Sequence, residues 1–207
     1  MGERIRKAMQ GALGALALGA ATLSIPDPAQ AGWQQQASAA DAQRLAQLPA
    51  IRAQAIHAAM TWKGQGDLNE LRGALEPEGR TIPAGALVGN WRCREIKLGG
   101  ISPYIVYRDW FRCTVRRANG GLLFRKVTGT QRTAGYLYPR DGAWVYLGAS
   151  SAKNEPWHQY SGRSPSLGAE VTPDDQIGLL TGIGNNHLRL EIPAVQESLL
   201  DVIELRR

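Results

Sequence analysis

The spacing of apolar positions divides this 207-residue chain into a helical first part and a strand-rich remainder. Ile51, Ala55, Ala58, Ala59 and Trp62 recur at helical spacing, which predicts a helix over 50–62 with one docking face. Asp41 reads as the cap of a preceding helix through Leu48, which Pro49 interrupts or restarts. Gly64-Gln65-Gly66 ends the helical run, and Asp67 with Glu70 opens a short helix through Leu75. Pro77, Gly79, Pro83 and Gly85 mark a turn region that closes this part.

Beyond it the period changes to two. Eight strands are predicted, near 87–97, 104–116, 121–128, 131–138, 143–149, 177–183, 187–193 and 198–206. The links include Gly99-Gly100, Asn119-Gly120-Gly121, Asp141-Gly142 and Gly184-Asn185-Asn186, all hairpin chemistry. Eight meandering antiparallel strands close most economically into a barrel, because closure removes exposed edges. A sandwich of two small sheets is the competing arrangement. The fold class is therefore mainly β with an N-terminal helical segment.

Residues two apart in a strand share a face. Trp91-Arg92-Cys93-Arg94 and Phe111-Arg112-Cys113-Thr114 thus each point an aromatic and a cysteine one way and arginine the other. Burying several unpaired guanidinium groups is prohibitive, so the aromatic–cysteine face is assigned to the core. Ile105, Tyr107 and Val115 share the parity of Phe111 and Cys113. The two cysteines are expected to form a disulfide, Cys93–Cys113, with the hairpin symmetric about Pro103 and Trp91 facing Val115. The opposite faces give a cationic outer wall of Arg92, Arg94, Arg108, Arg112 and Arg116.

Residues 1–31 have the layout of a general-route export signal. Arg4, Arg6 and Lys7 precede a weakly apolar run to Ile25, and Ala29-Gln30-Ala31 predicts cleavage after Ala31. The expected organisation is a signal over 1–31, a loose N-terminus (32–40) and helical prefix to 86, and a barrel over 87–207 packed with the prefix. The localisation that follows is periplasmic or secreted, with no membrane span after cleavage.

Charge adds one feature. Ten basic and two acidic residues lie between Arg92 and Arg132, in a chain of formal net charge +6. Such a wall fits either an anionic envelope component or a solvated outer face. Nucleic acid is not an expected partner in this compartment. The segment from Ser150 to Gln176 is long for a connection and carries Trp157, His158, Tyr160 and Arg163. These are candidate ligand-binding residues on a rim over the barrel mouth; a packed surface flap is the other reading. Thr128-Gly129-Thr130-Gln131-Arg132 reads as a turn. No nucleophile elbow, zinc-protease helix or phosphate-cradling glycine motif is present, and the histidines are scattered, so no cofactor, metal or catalytic residue is assigned.

Gly89-Asn90-Trp91 at the head of the first strand resembles the Gly-x-Trp signature of lipocalin-like and avidin-like barrels. That likeness implies a tryptophan plug at one barrel end, covered by Arg206 or Arg207. Exported bacterial metalloprotease inhibitors are similar small barrels, but without the helical prefix. More broadly, Gly89 to Arg94, Phe111-Arg112-Cys113, Thr128 to Arg132 and the stretch from Glu197-Ser198 to Leu205 resemble the domain-of-unknown-function family 4893. That resemblance implies export and a single domain, and it carries no activity. The expected function is a non-enzymatic exported binding or envelope-interaction module, with an apolar or amphiphilic ligand in the mouth. Inhibition of a secreted hydrolase, with residues 32–40 entering its cleft, is the alternative. A hydrolase built around His158, for instance with Asp141, is the third reading.

Overall fold

The computed structural model describes residues 32–62, 68–119, 121–162, 174–193 and 196–207. The expected signal over 1–31 and the candidate Arg163 lie outside them.

Helices come first: α1 (Trp33–Gln36), α2 (Ala39–Thr61), α3 (Leu68–Leu75) and α4 (Ala84–Leu87). The cap of α2 is Ser38 rather than Asp41. Ser38 Oγ accepts from the Asp41 backbone N–H at 3.1 Å and donates to Asp41 Oδ2 at 2.8 Å, which places Asp41 inside the first turn. Pro49 neither interrupts nor restarts the helix. It occupies an exposed position, so its missing backbone bond falls on the solvent side, where that loss is least costly. Residues 32–40, expected to be loose, are built into α1, the Ser38 cap and the start of α2.

Nine strands follow: β1 (Gly89–Leu98), β2 (Tyr104–Val106), β3 (Phe111–Ala118), β4 (Gly121–Lys126), β5 (Gln131–Arg140), β6 (Ala143–Ala152), β7 (Asp175–Gly184), β8 (His187–Pro193) and β9 (Leu200–Arg206). Each pairs antiparallel with the next from β3 onward, and β1 pairs with both β3 and β9. The eight strands β1 and β3–β9 therefore close into the expected barrel. The ninth arises because the predicted second strand divides. Its first part, β2, runs along Ile96–Leu98 of β1, and after a last bond from the Tyr107 N–H to the Glu95 carbonyl at 3.0 Å the chain leaves the ladder until β3 resumes at Phe111.

That excursion changes the register. Trp91 faces Cys113 instead of Val115, and Cys93 faces Phe111. The symmetric hairpin about Pro103 does not form, because four residues stand where two would continue the β2 pairing. The Cys93–Cys113 disulfide is present nonetheless, between diagonal neighbours whose Cα atoms are 5.8 Å apart. Tyr107, in the excursion, is exposed rather than core.

Two apolar cores result. Inside the barrel, Trp91, Cys93, Cys113, Val115, Phe124, Tyr146, Leu188, Leu190 and Leu205 pack together. Outside it, Leu45, Leu48, Ala55 and Ala59 of α2, with Leu71 and Leu75 of α3, cover Ile96, Leu98, Val145, Leu147, Ile177 and Val202 on the outer wall. The prefix thus sheathes one side of the barrel through a continuous apolar seam.

One barrel end is plugged. Trp91 is buried, and its Nε1 donates to the Leu87 carbonyl at 2.9 Å. The Arg207 guanidinium lies 4.2 Å from its ring centroid, so the second of the two expected basic residues covers it. Gly89 has φ +149°, a backbone conformation that L side chains rarely adopt, which explains the glycine physically.

Candidate functional site

The inward parity that gives Trp91 and Cys93 continues along β1 to Glu95 and Lys97. On β4 it runs from Leu122 and Phe124 to Lys126, and on β9 from Leu205 and Ile203 to Asp201. The same interior surface therefore turns from apolar to ionic toward the end opposite the plug. There the barrel opens into a cavity of about 670 Å³, with Ile192 and Ile203 the larger side chains of its apolar lining.

Lys126 is only 3% exposed, and its Nζ donates to Glu95 Oε2 at 3.0 Å and to the Gln131 carbonyl. It also sits 4.6 Å from the Phe111 ring centroid. Lys97, 6% exposed, donates to Glu197 Oε2 at 2.6 Å. Burial would depress the Lys97 pKa, but its hydrogen bond to Glu197 and the charges of Asp201, Glu95 and Glu197 outweigh that and raise it. Asp201 is 6% exposed and accepts from Ser198 Oγ. Burial, reinforced by Glu95 and Glu197, pushes its pKa up to about 6, against Ser198 and Lys97, which oppose the shift.

Thr133 and Gln176 of the lining are reached by a buried aromatic side chain that paired glycines make room for. Gly135 and Gly148 oppose each other on β5 and β6, and the Tyr146 ring lies over both. This lets the Tyr146 hydroxyl reach Thr133 Oγ1, which also approaches Gln176 Oε1. Burial raises the Tyr146 pKa far above its ordinary value, so this hydroxyl stays protonated.

The opposite wall belongs to the prefix and the residues before β7. Asp41 accepts from Arg44, Ser38 and Tyr160. Burial alone would raise its pKa, but those bonds, led by Tyr160, lower it, so Asp41 is ionised. Asp174 accepts from Ser150 Oγ at 3.0 Å and lies 3.1 Å from His158 Nδ1. Counted around the whole cavity, seven carboxylates (Asp41, Glu95, Glu155, Asp174, Asp175, Glu197, Asp201) face four cationic side chains (Arg44, Lys97, Lys126, Arg132).

The candidates on the long connection have other places. Trp157 lies outside the barrel between the guanidinium groups of Arg132 and Arg125, at 4.4 and 5.5 Å. His158 meets Asp174, and its backbone N–H donates to Ser151 Oγ at 2.8 Å. Tyr160 fastens the segment to Asp41 and to the Ser38 N–H. None of the three lines the cavity; they pin its rim. The carboxylate stands between Ser150 and His158, which is not the order in which imidazole takes a proton from serine. Thr128 to Arg132 is a turn leading into β5, with Gly129 at φ +101° and Thr128 Oγ1 accepting from the Arg112 N–H.

The arginine wall also sorts differently. Arg92, Arg108, Arg112 and Arg116 are exposed, but Arg94 is 5% exposed beneath α3. Arg94 Nε donates to Glu204 Oε2 at 2.6 Å and Nη1 to Glu70 at 3.2 Å. Among the described residues, no group of His, Cys, Asp and Glu side chains is placed to hold a metal ion.

No curated protein and no solved structure matches the chain. The family profile described as Domain of unknown function (DUF4893) matches residues 33–205, which span the prefix, the plugged barrel and the ionic mouth. The chain belongs to that DUF4893 family.

Proposed function

We propose that the protein is a non-enzymatic exported binding module whose barrel mouth holds a small amine-bearing amphiphile. The observation that carries this reading is the ionic interior at the open end. Small barrels fill their interior with side chains, and a buried ionic set is weak support for stability compared with apolar packing. Here Lys97, Lys126 and Asp201 occupy interior positions beside a cavity of ligand size. The excess of carboxylates favours a cationic group, and Ile192 and Ile203 offer a surface for its carbon skeleton. A purely apolar ligand would replace water beside these ion pairs with a surface that neither donates nor accepts, so the amphiphilic class is preferred. Export rests on the tripartite pattern of residues 1–31.

The inhibitor reading drew on residues 32–40 as a free tail, and these form helix and cap instead. The test is native mass spectrometry of protein purified from its own host. A copurifying adduct that carries an amine is the expected result. A fatty acid or other anionic amphiphile in the mouth would overturn the ligand class.

A further inference from the structure

On the outer wall, away from the mouth, Arg92 of β1 stands directly opposite Arg112 of β3. Like charges facing each other across a ladder destabilise it. Among the described residues no ion pair involves Arg92, Arg108, Arg112 or Arg116, although all four are exposed. Two of them are nevertheless held in place: the Arg92 guanidinium lies 5.3 Å from the Trp110 ring centroid, and Arg116 Nη2 donates to Asn90 Oδ1. Helix α2 covers the far half of this ribbon and stops short of the arginines.

The same ribbon, with the end of α2 that packs on Tyr104, carries the large exposed apolar side chains. Ile101, 82% exposed, is at the β1–β2 turn, Trp62 packs edge-on against Tyr104, and Tyr107 marks the exit from β2. Aromatic and aliphatic groups on one ribbon with guanidinium forks are the chemistry of a headgroup layer. The forks match phosphate oxygens, and the apolar groups enter the boundary beneath them.

We infer that the β1–β2–β3 ribbon docks the protein on an anionic phospholipid surface, with Arg92, Arg112 and Arg116 against phosphates and Ile101, Trp62 and Tyr107 in the interface. An acidic protein would complement the arginines, but it would leave the exposed Ile101 unexplained. The Ile101 backbone N–H donates to the Glu197 carbonyl at 3.3 Å, so docking would set the rim of the mouth beside the headgroups.

Flotation of the purified protein, its N-terminus fixed by intact mass, with vesicles of phosphatidylcholine alone or mixed equally with phosphatidylglycerol tests this. Binding is expected only to the mixed vesicles, and it should weaken at roughly three times physiological salt. The triple variant R92Q/R112Q/R116Q should lose about a hundredfold in affinity, since each basic group near an anionic surface contributes about fivefold. Ile101→Ser should weaken binding without changing its salt dependence. Equal binding to both vesicle types, no binding to either, or an unaltered triple variant of native circular dichroism would overturn the proposal. Capture of a soluble acidic protein by a chain that ignores the mixed vesicles would overturn it as well.

Discussion

Arg94 donates to Glu204 Oε2 at 2.6 Å directly across the β1–β9 seam that closes the barrel. Glu204 is fully buried, and its other oxygen accepts from Arg206 Nε and lies at hydrogen-bond distance from His187 Nε2, both at 2.7 Å. Burial would raise its pKa, but the bonds and charges of Arg94 and Arg206 outweigh that and lower it. Removing one partner of such a set leaves an uncompensated buried charge, so Glu204→Gln should cost about 3 kcal/mol in urea unfolding. Because the folded pKa lies below the ordinary 4.5, the stabilisation is complete above that pH and is lost as pH falls through the folded value. The gap between wild type and Glu204→Gln should therefore close in acid.

Asp201 has the opposite sign. Its pKa is about 6 in the fold against an ordinary 3.8, a difference equivalent to about 3 kcal/mol. The unfolded chain ionises first, so this residue's contribution falls as pH rises from about 4 to 6 and is most unfavourable above that. Asp201→Asn should gain stability relative to wild type across this window, as measured by thermal unfolding at pH 4 and pH 7. An unchanged difference would mean that Asp201 titrates normally.

The disulfide closes a separation of 20 residues, for which chain entropy gives about 3 kcal/mol. The paired Cys93→Ala/Cys113→Ala variant should keep the barrel by circular dichroism and lose about that amount in urea. Loss of the fold altogether would show that the barrel cannot close without the bond.

At Gly148 an added Cβ would lie 2.1 Å from the Tyr146 hydroxyl oxygen and 2.3 Å from the Ala134 carbonyl oxygen. Gly148→Ala should therefore cost about 3 kcal/mol by overpacking and displace Tyr146 from Thr133. Gly73, in α3, has nothing within 4 Å of such a Cβ, and Gly73→Ala should stabilise by about 0.5 kcal/mol. Calorimetry of the two variants checks the contrast.

Local parity made much of this legible. Trp91, Cys93, Phe111 and Cys113 announce an inner face, and the hairpin glycines announce a meander. Parity also contained the mouth: Glu95, Lys97, Lys126 and Asp201 continue inward-facing series that begin with apolar residues. A polar residue at an inward position looks like any other alternation error until several strands end the same way at one rim. The burial of Arg94 is not legible for a related reason, since alternation gives its outward face but not the helix that covers it. The register of β1 with β3 depended on the excursion over 107–110, where Tyr107 keeps the apparent alternation while the backbone leaves the ladder. The rim contacts of His158 and Tyr160 reach 16 and 119 residues along the chain, beyond any local signal.

The most direct test of the ligand proposal is a calorimetric titration at pH 7.5 with hexylamine, hexanol and hexanoate, which share a carbon count and differ in charge. Hexylamine should bind most tightly, by about tenfold over hexanol for one close charge pairing, and Asp201→Asn should reduce that preference. Hexanoate binding as tightly as hexylamine would contradict the account.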